Sequence, residues 1–420
     1  MRVVLATESY RSSSKNPAFS GVAIFVERLA RYLSESGHEV MVITPSPEFF
    51  NEPSIVAYAP LNSSASEQIG KSCGGPMEER PLKNLTVVNL PSWPNPFRSS
   101  SRIVAPLGLT AIKYFLQKFR PDIIHLQDPA EIGITVLRAA KKLRTPVILT
   151  SHSYLEFSSS YLQFLGPLSG FAEKMLLDHI VRTYNECDAI TTPTSVLGKT
   201  LKKLGVLPKI YTVSNGVELD KFSPGFPNSS IMDKYGIPKG KDVVLYVGRL
   251  DKDKSLEIVL KAIPSILPVS QNAHFVFVGD GSSGEEYKEL ARKLKVDERV
   301  SWTGYISHDS NDLPEIYRLA KVFVMPSIEG QGIAALEAMA SGVPVVAANA
   351  GGLRELIKNG RNGILFKFGN PKSLSRAVVS VLNNEEKAEQ YGRNGRLRAS
   401  EHDLHNSLKN MVKVYEAVIR

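Results

Sequence analysis

Along the chain, short apolar runs rich in Val, Ile, Leu and Phe alternate with longer stretches whose apolar residues recur every three or four positions. The short runs read as buried strands and the longer ones as amphipathic helices. In the first half the strand-like runs are 3–6, 39–44, 85–90, 123–126, 147–150, 189–192 and 210–213. In the second half they are 243–247, 274–278, 300–302, 322–325, 345–347 and 364–366. Strands separated by helices predict βαβ units and parallel sheets, so the two series predict an α/β protein of two doubly wound, Rossmann-like domains. Turn residues collect over Asn215-Gly216-Val217-Glu218-Leu219-Asp220-Lys221-Phe222-Ser223-Pro224-Gly225, which divides the chain into 1–215 and 216–402. Residues 45–83, rich in Ser, Pro and Gly, read as an irregular insertion. The tail from about 383 is continuously helical in pattern, and its last part, about 403–420, can cross back onto the first domain.

A length of 420 residues suits two cores better than one. No run of about eighteen apolar residues is present, so no membrane-spanning helix is expected. The start, Met1-Arg2-Val3-Val4-Leu5-Ala6-Thr7-Glu8, reaches an acid at once and reads as a first strand rather than a signal peptide. A cytoplasmic protein is therefore expected. Cys73 and Cys187 lie far apart without metal-ligand spacing, which fits a reducing compartment and no metal centre. The formal charge of +9 is dispersed. Clusters such as Lys141-Lys142-Leu143-Arg144 and Lys202-Lys203 fall near predicted helix ends, where cations offset the dipole. No arginine-rich arm or finger motif is present, so no nucleic-acid partner is expected.

Candidate chemistry gathers at predicted strand ends. After the run 322–325 comes Ser327-Ile328-Glu329-Gly330-Gln331-Gly332-Ile333, then a helical stretch containing Glu337. Glu329 is expected in the turn and Glu337 roughly two helical turns inside, facing nearly the same way. Carboxylates near a helix start are also ordinary capping features. Tyr246-Val247-Gly248-Arg249-Leu250-Asp251-Lys252-Asp253-Lys254 follows another strand. An Arg fork and a mobile Lys five positions apart suit a diphosphate, although a solvated basic turn has the same composition. Phe277-Val278-Gly279-Asp280-Gly281 and Trp302-Thr303-Gly304-Tyr305-Ile306 repeat the strand-then-glycine arrangement, which lets a ligand approach the backbone or simply makes a good turn. In the first half, Ser20-Gly21 opens the helical run Val22, Phe25, Val26, Leu29, Leu33, whose free N–H groups can face a phosphate or carry a plain cap. His152 follows the run 147–150, a position for a structural histidine or for an acceptor or sugar contact. Tyr154, Phe157, Tyr161, Phe164 and Phe171 form an aromatic-rich stretch suited to a core, to lipid or to a bulky acceptor.

These motifs together, from Gly21 through Gly37-His38-Glu39-Val40, Ser214-Asn215-Gly216-Val217, Val247-Gly248-Arg249-Leu250 and Val278-Gly279-Asp280-Gly281 to Glu329-Gly330-Gln331-Gly332 and Glu337-Ala338-Met339-Ala340, resemble retaining glycosyltransferases of the GT-B fold. The resemblance is to the large family four, and to its lipid-directed members. It implies an interdomain cleft holding a nucleotide-diphosphate sugar, with UDP favoured, as donor substrate and no tightly bound cofactor. Arg249 and Lys254 would hold the diphosphate. Glu329 would contact the transferred sugar, with Gly330, Gly332 and Ile333 offering backbone amides, and Gly248 and Gln331 would also belong to the donor site. Glu337 would hold the ribose, Gly304, Tyr305 and Ile306 the base, Gly21 a phosphate, and His152 would lie near the reacting sugar and the acceptor. The sequence departs from the family pattern at Val22, at Asp253-Lys254-Ser255, where Glu-Lys-Gly is usual, and at Gln331, where Phe is frequent. The resemblance implies a hexosyltransferase using a lipid, glycolipid or saccharide hydroxyl, peripheral on an anionic inner membrane face. Two other readings share the fold: a sugar-nucleotide epimerase and a catalytically inert nucleotide-sugar binder.

Overall fold

The protein is described by a computed structural model covering residues 1–8, 10, 21–46, 54–57, 84–94, 102–152, 169–228 and 230–420. Chain contacts separate two compact units: Met1–Thr192, Thr200–Thr212 and Asn410–Arg420 in one, Pro193–Lys199 and Val213–Lys409 in the other.

The first unit is built on strands β1 (Arg2–Ala6), β2 (Glu39–Pro45), β3 (Ser54–Ala57), β4 (Leu85–Leu90), β5 (Ser92–Pro94), β6 (Arg102–Val104), β7 (Ile123–Leu126), β8 (Val147–Thr150), β9 (Ala189–Thr192) and β10 (Lys209–Thr212). Eight of them form one sheet in the order β10-β9-β8-β7-β1-β2-β4-β3. All its neighbours run parallel except β3, which is antiparallel to β4. A parallel sheet is covered on both faces, which is why Val3, Val4 and Leu5 form an unbroken apolar run and are fully buried. The helix Gly21–Glu35 turns Phe25, Val26, Leu29 and Leu33 inward, each such burial contributing about 2 kcal/mol. The stretch read as an irregular insertion contains β3, so that expectation is corrected. A four-residue strand paired only along an edge gives too short a run to stand out among Ser and Pro.

The second unit has strands β11 (Asp242–Val247), β12 (Ala273–Val278), β13 (Val300–Gly304), β14 (Ala320–Met325), β15 (Val345–Ala348) and β16 (Ile364–Phe366). They form one parallel sheet in the order β13-β12-β11-β14-β15-β16. The chain winds outward from β11 to β13, then returns to the other side of β11 with β14. The carboxyl ends of β11 and β14 therefore diverge at a topological switch point, where an open crevice forms in such sheets.

The tail is two helices, Glu385–Ser400 and Leu404–Ile419, rather than one. The break is imposed from outside the tail: Val217 N–H donates to His402 O at 2.9 Å and Leu404 N–H to Val217 O at 3.0 Å. The last residues of the second helix count with the first unit, where the Tyr415 hydroxyl meets His125 Nδ1 at 2.7 Å. No helix among the described residues is long and apolar enough to cross a membrane.

Candidate active site at the switch point of the second unit

The loop after β11 is held in place by backbone. Gly248 N–H donates to Val278 O at 3.0 Å, Leu250 N–H to Asp280 O at 2.9 Å, and Gly279 N–H to Gly304 O at 2.9 Å. A Cβ on Gly279, at φ +135°, would lie 1.9 Å from the Gly248 carbonyl oxygen. Gly279 is thus needed for the approach of this neighbouring loop, and the glycine that sequence reading offered to a ligand is used inside the protein. The amide of Gly248 is likewise committed to the ladder. The buried Tyr246 hydroxyl donates to Arg249 O at 2.7 Å. Its own pKa is raised, by burial first and then by Glu329 and Asp253.

Arg249 therefore leaves a rigid base, and carboxylates hold its guanidinium. Nη1 pairs with Asp251 and Nη2 with Asp253, the latter at 2.8 Å. Asp251 is itself fixed by Ser282, whose N–H and hydroxyl both donate to Oδ1 at 2.8 Å.

Across the switch point, Lys254 Nζ donates to Glu329 Oε1 at 2.8 Å and stands 3.9 Å from Asp253. The Ser327 hydroxyl also donates to Glu329 Oε1, at 2.5 Å. Burial pushes the Glu329 carboxyl up, but Lys254, the Ser327 hydroxyl and Arg249 together outweigh it and hold the group below the usual range. Glu329 is thus poised as an anion, a strong acceptor for a sugar hydroxyl. Arg249, Lys254 and Glu329 are joined through Asp253 into one connected cluster.

The helix Ile333–Ala340 begins just beyond Gly332, which sits at φ +90°. A side chain there would meet Leu353 Cδ2 at 2.8 Å, so the chain can turn into the helix only at a glycine. The first helical N–H groups have no intrahelical partner, and the dipole makes this end suit an anion. This boundary puts Glu337 little more than one turn into the helix, where two turns were expected. Glu337 is only 3% exposed. It accepts from His308 Nε2 and from the Tyr317 hydroxyl, each at 2.8 Å.

The Gln331 side chain is held inside the second unit. It is 2% exposed, accepts from Asn215 N–H at 2.8 Å and donates to the Ser214 hydroxyl at 2.7 Å. Its backbone alone remains for a donor. Gly330 is buried, and its carbonyl accepts from the Thr194 hydroxyl at 3.0 Å. At the end of β13, Gly304 is exposed, Tyr305 half-buried and Ile306 buried.

On the first unit, Gly21 begins the helix Gly21–Glu35. His152 lies two residues past the end of β8, its Nε2 2.9 Å from Gln127 Oε1, with the Phe25 ring edge-on at 5.3 Å. Burial lowers its pKa to about 3, so the ring is neutral. Tyr154, Phe157, Tyr161 and Phe164 lie outside the described residues, as does Ser20, while Phe171 is exposed. Sequence reading missed Asp251, Asp253, Ser327, His308, Tyr317 and Gln127. Asp251 and Asp253 stand within the basic motif itself, where alternating charges signal mutual pairing. Ser327 stands two residues before Glu329 in the same motif, while His308, Tyr317 on the helix Asp312–Leu319 and Gln127 are brought to their partners only by the fold.

A family model described as glycosyl transferases group 1 matches residues 228–398, and one described as glycosyltransferase family 4 matches residues 19–221. A sulfoquinovosyl transferase from Arabidopsis thaliana is 28% identical over 392 residues, covering 91% of this chain and 68% of that protein. An alpha-monoglucosyldiacylglycerol synthase from Streptococcus pneumoniae is 26% identical over 388 residues, covering 91% and 78%. Among solved structures, a sucrose-phosphate synthase from Thermosynechococcus elongatus superposes with a TM-score of 0.77 at 21% identity, covering 99% of this chain and 98% of that one, and so shares the fold.

Proposed function

The chain belongs to the glycosyltransferase family 4 and group 1 enzymes, and from that premise we propose a retaining hexosyltransferase that moves a sugar from a UDP-linked donor to a hydroxyl of a lipid or glycolipid. The observation that carries the reading is the 2.8 Å contact of Lys254 with Glu329 at the switch point. It joins a cation suited to a leaving diphosphate to a carboxylate suited to a sugar hydroxyl.

The donor's diphosphate binds Arg249, Lys254 and the amide end of helix Ile333–Ala340, including the Gly332 and Ile333 backbone. As the bond from the anomeric carbon to the phosphate oxygen breaks, negative charge grows on that oxygen. Groups already aimed at it lower the barrier without reorganising. Glu329 takes the sugar hydroxyls, Glu337 the ribose, and the backbone of Gly304, Tyr305 and Ile306 the base. The acceptor oxygen attacks from the face the phosphate leaves, and the departing phosphate takes its proton, so the anomeric configuration is retained. On the first unit, His152 contacts the reacting sugar and the acceptor, and Gly21 offers its amide to a phosphate.

A lipid acceptor is supported by the name of one relative, the alpha-monoglucosyldiacylglycerol synthase. Phe171 and Met175, one turn apart on the helix Ser169–Asn185, are 68% and 59% exposed. They suit a peripheral contact with the inner membrane face.

A panel of UDP-, GDP- and ADP-sugars, with diacylglycerol, glycolipid and sugar acceptors, tests this reading. Lys254→Ala and Glu329→Ala are expected to lower nucleotide release by about a hundredfold or more. Release unchanged in both variants would remove the site, and transfer to sugars alone would remove the lipid acceptor.

A further inference from the structure

We propose that Gln127 is a positioning residue: its side-chain oxygen accepts from His152 Nε2, fixes the imidazole proton there, and leaves Nδ1 as an acceptor for a hydroxyl of the substrate. The inference rests on the assignment of His152 to the sugar and acceptor.

Three observations support it. Gln127 cannot wander, because its N–H donates to Ala6 O at 2.9 Å, extending the ladder beyond β7, and its side chain is 1% exposed. The His152 ring cannot swing, because Gln127 holds one edge at 2.9 Å and the Phe25 ring stands against it at 5.3 Å. A neutral imidazole carries one N–H, and an amide oxygen only accepts, so Nε2 donates and Nδ1 keeps its lone pair.

The other end of the same amide is unused. Gln127 Nε2 is buried and has no hydrogen-bond partner among the described residues. Beneath the pair, His125 is occupied by Tyr415 and Thr150 and does not compete for His152. The arrangement presents a substrate hydroxyl with an acceptor, His152 Nδ1, on a ring whose other nitrogen is held by Gln127.

The test combines spectroscopy with kinetics on the full chain. Nitrogen-15 spectra of histidine-labelled protein are expected to show His152 as the Nε2–H tautomer. Gln127→Leu is expected to give mixed tautomers and at least tenfold slower turnover, with donor KM changed less than twofold. Gln127→Glu keeps an acceptor oxygen and is expected to restore the Nε2–H tautomer and most of the rate. An Nδ1–H tautomer in the wild type, which the reversed amide would produce, overturns the inference even if Gln127→Leu fails to fold. A slow His152→Ala beside a normal Gln127→Leu sinks the inference alone. His152→Ala at the wild-type rate sinks the assignment of His152 and this inference with it.

Discussion

Replacing Asp253 with Asn is expected to tighten the binding of a nucleotide diphosphate. The cluster at the switch point holds two cations, Arg249 and Lys254, and three carboxylates, Asp251, Asp253 and Glu329. Its formal sum is +2 − 3 = −1 over these same five residues, an unfavourable reception for a ligand carrying negative charge. Asp251 is tied down by Ser282 and Glu329 by Ser327, whereas Asp253 is bound to Arg249 at 2.8 Å and is 28% exposed. It is the carboxylate most readily exchanged for a phosphate. A phosphate between Arg249 and Lys254 would stand ~5 Å from Asp253. With an effective dielectric of ~40, one unit of repulsion at that distance is about 1.7 kcal/mol, or about 15-fold in Kd. Calorimetric titration of wild type and Asp253→Asn with UDP measures the difference. The advantage of the variant should shrink as salt screens the repulsion. Weaker UDP binding by Asp253→Asn would refute the reasoning, and would mean that Asp253 serves chiefly to aim the guanidinium.

Two further outcomes are expected. Gly279→Ala drives a Cβ into the Gly248 carbonyl, so it should cost about 1–3 kcal/mol of stability and weaken UDP binding through displacement of Arg249; an unchanged melting temperature and unchanged UDP affinity would contradict the packing. The second concerns acid. Burial lowers the pKa of both His125 and His152 from 6.5 to about 3, so the unfolded chain binds more protons and stability falls as pH drops below 6.5. At pH 5.5 each histidine should cost about 1.4 kcal/mol. Urea titrations between pH 7 and 5 measure the slope, which should flatten in His125→Gln; equal slopes would count against a neutral, buried His125.

The architecture was legible because buried parallel strands announce themselves as apolar runs, and runs such as 243–247 and 322–325 became β11 and β14. The switch point followed from sheet order, which no local pattern encodes, yet the motifs after those two strands already singled out Arg249, Lys254 and Glu329. Local reading failed where a side chain has a distant partner. Gln331 is occupied by Ser214 and Asn215, more than a hundred residues away, so nothing near it in the chain reveals its use. Gly279 was visible as a turn glycine, but the carbonyl it accommodates belongs to another strand's loop. The position of Glu337 was misjudged by about a turn, because the helix could begin only after the chain had turned at Gly332.

The bond between Tyr415 and His125 joins residues 290 positions apart, and it bears on the order in which the protein is made. The strands of the first unit leave the ribosome early, but a neutral histidine in their interior waits for a hydroxyl supplied by Asn410–Arg420. The first unit to be synthesised is thus the last to be completed, and it must pass the entire translation of its neighbour with that nitrogen unmet. A chain cut short by a dozen residues would keep every strand of both sheets and still lack a finished core at its amino end.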